Sequence, residues 1–118
     1  MVFRVIRGGR FDATCFMSNR DMGFSRRSDE DWLLYQGLSV RRTLAQALSV
    51  ARSLARAQAV AKSTLPPPTH VALVAVKAED GHVYAKTLGT RGHFTVWGDS
   101  GLWPSRIVRS WTIQGVKV

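Results

Sequence analysis

Acids are scarce in this chain, and cysteine is scarcer. Eight Asp and Glu stand against 17 Lys and Arg, a formal net charge of +9 over 118 residues. That field favours nucleic acid, anionic nucleotides, membrane headgroups or an acidic protein partner, and carries no information on the fold. The one cysteine, Cys15, rules out an internal disulfide and fits a reducing compartment. One Cys and three scattered histidines, His70, His82 and His93, give no metal-ligand spacing, so no metal is expected. No apolar run approaches the roughly 18 residues a spanning helix needs, and no signal peptide or repeat is visible. The expectation is a cytoplasmic, membrane-free, single domain over residues 1–118.

Proline is also rare inside the longest pattern. Residues 43–62 contain neither Gly nor Pro, and Leu44, Ala47, Leu48, Ala51, Leu54 and Ala55 recur at helical spacing. Thr43 and Gln46 have capping-box spacing, and Pro66-Pro67-Pro68 closes the region. The spacing predicts one main helix within about 41–63. Around it lie short runs of strand character: Met1–Arg7, Trp32–Tyr35, a continuously apolar run near 70–77, His82–Leu88, His93–Trp97 and Ile107–Ile113. Turn chemistry at Glu79-Asp80-Gly81 suggests that His82–Leu88 returns as a hairpin on the strand before it. Residues 10–31 have no clean period, beyond room for one short helical turn. The fold class is α+β, with one helix packed on a mixed, mostly antiparallel sheet.

Several stretches, taken in order, carry a family likeness. An early strand holds an aromatic residue followed by Arg, here Phe3-Arg4. A second strand ends near a Ser and feeds a helix, here Leu34 to Ser39 and then Thr43 to Ala51. A very apolar strand follows at Val71–Val76, and a loop with a Pro-containing turn leads to a last strand, here Trp97 to Ile113. This order resembles the ADP-ribosyltransferase-like fold, which includes bacterial mono-ADP-ribosylating toxins and the NAD-consuming RES-domain toxins. The resemblance implies NAD as cofactor, with Arg4 and Ser39 holding it and Tyr35 or Trp97 near the nicotinamide. It also implies a carboxylate that stabilises the sugar cation formed as the glycosidic bond breaks. These transferases usually carry a late Glu. This chain has none after Glu79, and Asp99 is the one acid in the corresponding loop. The implied activity is therefore nucleotide binding with weak or lost transferase or glycohydrolase turnover.

A second expectation needs no resemblance. Arg41, Arg42, Arg52, Arg56 and Lys62 place five cations and no acid along one segment, a surface suited to nucleic acid or an acidic protein partner. Each singled-out residue also has a plain structural use: Arg4 as a snorkelling side chain, Ser39 as a cap, Tyr35 and Trp97 as core, Asp99 as a turn former.

Overall fold

The computed structural model describes residues 1–18, 37–86, 92–99 and 101–118. Six strands, β1 (Val2–Arg7), β2 (Leu38–Arg41), β3 (Pro68–Val74), β4 (Val83–Lys86), β5 (His93–Trp97) and β6 (Ile107–Thr112), form one sheet. One helix, α1 (Leu44–Ala61), packs on it. The strand order is β4-β5-β2-β1-β3-β6, and each described pairing is antiparallel. The α+β class with one main helix is thus what the structure shows. The expected strand at Trp32–Tyr35 lies outside the described residues.

Local chemistry explains the helix. Thr43 accepts from the Gln46 backbone N–H, and the Gln46 side chain accepts from the Thr43 N–H, so both halves of the capping box are present. Lys62 ends the helix in a left-handed conformation (φ 52°), and its N–H reaches the Ala59 carbonyl. Ala47, Leu48 and Ala51 are buried against Val71, Phe3 and Val5. Farther along the same stripe Leu54 is 36% exposed, because it borders a cavity rather than the sheet.

β1 and β3 form the spine. Their register pairs Val2 with Val74, Arg4 with Ala72 and Ile6 with His70. The strand period then sends Val2, Arg4 and Ile6 to one face and Phe3, Val5 and Arg7 to the other. Both faces of β3 are packed: Val71 faces α1, while Ala72 and Val74 join Val2, Ile6 and Trp103 on the opposite side. That second side is closed by two short 3-10 turns, Ala13–Phe16 and Trp103–Arg106. Pro68 opens β3, where a missing N–H is tolerated.

The predicted hairpin between β3 and the following strand does not form. β3 is flanked by β1 and β6, and β4 pairs with β5 at the far edge. Every residue of β4 is exposed, as suits an edge strand rather than a neighbour of the buried spine. The crossing segment is anchored by Asp80, whose carboxylate receives both Arg106 Nε and an Arg106 Nη at 2.6 Å. His82 also stacks on Trp103 with ring centroids 3.7 Å apart.

β1 and β2 meet at one register position among the described residues, Phe3 opposite Arg41. No other described register pair joins them, and a cavity lies along this seam, lined by residues of both strands.

Candidate functional site: an arginine-lined cleft

The seam holds a cavity of about 360 Å³. Its apolar wall comes from Phe3 and Val5 of β1, Val50 and Leu54 of α1, and Leu65. Its polar wall contains Arg4, Arg7, Arg10, Arg41 and Ser39. No Asp or Glu is among its described lining residues. The volume falls in the range of small-molecule sites, which pair apolar walls with a few fixed polar groups.

Arg4 bridges the seam. Its Nε donates to the Cys15 carbonyl at 3.0 Å and an Nη donates to the Ser39 carbonyl at 2.8 Å. A side chain here ties β1 to β2 beyond the point where their backbone pairing is recorded. Burial lowers the Arg4 guanidinium to about 10, and the charge of Arg7 acts in the same direction. It remains a cation at neutral pH. Arg7 donates to the Gln58 side chain and, at 3.2 Å, to the Pro66 carbonyl. Burial lowers both Arg7 and Arg41 as well. These guanidinium groups line one cavity and are partly desolvated, so an anion placed there is attracted more strongly than it would be in water.

Arg4 and Ser39 meet as the motif order predicts, both at the cleft. Trp97 and Asp99 are not among the lining residues. In the β2–β5 register, Ser39 lies opposite Thr95 and Leu38 opposite Val96, so β5 runs away from the cleft toward Gly37. A Cβ on Gly37 would collide with the Thr95 methyl and sit 2.9 Å from Trp97 Nε1, an approach open only to glycine. Asp99 Oδ1 instead accepts from the Gly101 N–H at 2.9 Å, in the turn that leads to Leu102. This is the turn-forming use expected of Asp99, which stands outside the described lining of the cleft. Tyr35 lies outside the described residues.

The cations of this strand-and-helix segment divide. Arg41 lines the cleft, whereas Arg42, Arg52 and Arg56 are exposed. Arg52 Nε is already engaged with the Ile113 carbonyl at 2.7 Å, fastening the C-terminal segment to α1. Arg56 reaches Ser53 Oγ at 3.3 Å.

Arg7 and His93 were not read from the sequence as site residues. Strand alternation separates Arg4 from Arg7, and only the opening of the sheet gives one cavity access to both. Burial lowers the His93 imidazole below its usual range, and the neighbouring Arg41 charge lowers it further. Burial also lowers His82, with Arg106 adding to the effect and Asp80 opposing it. Both histidines therefore bind a proton less readily folded than unfolded, where His titrates near ~6.5. As pH falls through that value the unfolded chain takes up more protons, and stability contributed above it is lost. The urea midpoint should drop between about pH 7.5 and pH 5.5, and His93→Gln should flatten part of that slope. A midpoint that rises on acidification over this window would contradict the placement of both rings.

Among the described residues no group of His, Cys, Asp and Glu is arranged to hold a metal ion, and no helix is long and apolar enough to cross a membrane. Compared with family models, with curated proteins and with solved structures, the chain matches none.

Proposed function

We propose that this chain is an ADP-ribosyltransferase-like domain whose cleft binds NAD or a related nucleotide, with little or no transferase or glycohydrolase turnover. The observation that carries the reading is the convergence of Arg4, Arg7, Arg10 and Arg41 on one cavity whose described lining contains no carboxylate. Arginine forks suit phosphate oxygens, and a pyrophosphate offers several at once. The apolar wall of Phe3, Val5 and Leu54 suits a ribose or base. Low turnover follows from the position of Asp99, which is occupied in its turn, since an oxocarbenium ion needs a carboxylate held close to the sugar.

Calorimetry with NAD and with ADP tests the reading, run beside an assay for nicotinamide release. The expected result is saturable heat with both ligands, and nicotinamide release at background for both the unmodified chain and Asp99→Ala. Rapid release abolished by Asp99→Ala would restore an active transferase. No heat with either ligand, together with tight and steeply salt-dependent RNA binding, would shift the function to the exposed cations Arg42 and Arg56.

A further inference from the structure

Ser39 lines the cleft and His93 lies opposite Arg41 in the β2–β5 ladder, and holding a nucleotide gives the contact between the two side chains no role. Ser39 Oγ is hydrogen-bonded to His93 Nε2. The two residues sit on neighbouring paired strands, with Ser39 opposite Thr95 and Arg41 opposite His93, so the contact runs diagonally across the β2–β5 ladder. The ladder fixes both backbones. Ser39 is exposed to solvent at the cavity, and its own carbonyl is held by Arg4.

A reachable hydroxyl bonded to an imidazole nitrogen is the arrangement of an activated nucleophile. His93 is kept neutral at physiological pH by its burial and by Arg41, which leaves a ring nitrogen free to take a proton. A linking contact between strands would need nothing more. Here two guanidinium groups, Arg4 and Arg41, share the cavity with the hydroxyl. Arg4 spends one N–H on each of two carbonyls, which leaves the rest of its fork for a ligand.

We propose that Ser39 is a nucleophile, with His93 as its general base, and that it accepts an acyl group from a mixed carboxylic–phosphoric anhydride whose phosphate is held by the arginines. An acyl phosphate and an acyl nucleotide share that chemistry, and the nucleotide form rests on the reading of the cleft given above. In the first step Ser39 Oγ bonds to the acyl carbon while its proton passes to His93 Nε2. The negative charge that develops on the acyl oxygen is stabilised by the guanidinium groups. The carbon–oxygen bond to phosphate then breaks, the phosphate leaves with that electron pair, and His93 returns the proton to it. Water, giving its proton to His93, then bonds to the acyl carbon; the Oγ–carbon bond breaks, Ser39 Oγ takes the proton from His93, and the carboxylic acid leaves. Attack at carbon is favoured over attack at phosphorus because the acyl carbon carries no anionic oxygens to repel the incoming hydroxyl.

The test uses the full chain with acetyl phosphate, reading inorganic phosphate release and peptide mass spectrometry at Ser39. The expected result is an acetyl group on Ser39, phosphate release abolished in Ser39→Ala, and release slowed by roughly a hundredfold or more in His93→Gln. ADP should compete. Calorimetry with ADP on the same preparation separates the two ideas. ADP binding without acetylation of Ser39 sinks the nucleophile and spares the nucleotide reading. Acetylation of Ser39 without ADP binding upholds the nucleophile and sinks the nucleotide reading. A phosphoryl group on Ser39, or acetylation independent of His93 in a folded variant, overturns the proposed acyl step.

Discussion

Trp103→Ala should destabilise the fold by about 3–5 kcal/mol, on the order of 10–20 °C in melting temperature for a domain of this size. Trp103 is 1% exposed and is the largest of the fully buried side chains. It stacks on Phe16 at 6.2 Å and on His82 at 3.7 Å, so it joins the Ala13–Phe16 turn to the segment that leads into β4. Truncation leaves a large void beneath the sheet face formed by Val2, Ile6 and Val74. Because a domain has only about 5–15 kcal/mol of stability, such a loss can leave a substantial fraction unfolded at 37 °C. Trp103→Phe separates shape from polarity. The Trp103 Nε1–H has no hydrogen-bond partner among the described residues. Phenylalanine keeps most of the stacking and removes that donor, so its cost should be far smaller, about 1 kcal/mol or less. Thermal and urea unfolding of both variants provide the measurement. A mild Trp103→Ala would show that this face is not the core.

The second large effect belongs to Arg4. Arg4→Met should weaken the proposed nucleotide binding by about 10- to 100-fold, the loss expected for one charge-assisted contact of roughly 1.5–3 kcal/mol. It should also lower stability, because the Ser39 and Cys15 carbonyls lose their donor across the seam. Arg10 provides the contrast. It lines the same cavity but is exposed, so Arg10→Met should weaken binding with little change in the unfolding midpoint. Calorimetry and denaturant unfolding on both variants separate the two contributions. Equal binding losses with equal stability would show that Arg4 contributes only charge.

How much of this was legible in the sequence depended on how local the causes were. The helix was readable because propensity, periodicity and the Thr43–Gln46 box lie within a few residues of one another. β5 was readable as a dense run of aromatic and β-branched residues. The partner of β4 was not readable, because its place is set by the occupation of both edges of β3 by distant strands. The same limit governs the site. Arg4 and Ser39, 35 residues apart, were linked by motif order and do meet. His93 was passed over because a hydrogen bond to Ser39 follows from strand register, which a single sequence does not display. Trp97 and Asp99 were linked to the site by analogy, and neither is among the residues described as lining the cleft.

The single register position shared by β1 and β2 has a dynamic meaning. The sheet is two three-stranded leaves, β4-β5-β2 and β1-β3-β6, joined by that register position, by Arg4 and by α1, which packs on strands of both. Such leaves can exchange their amide protons as separate cooperative units, at different opening free energies. An occupant lodged between Arg4 and Arg7 of one leaf and Ser39 and Arg41 of the other would clasp them. Its binding would then be recorded as slowed exchange in both leaves at once, including strands that never touch it.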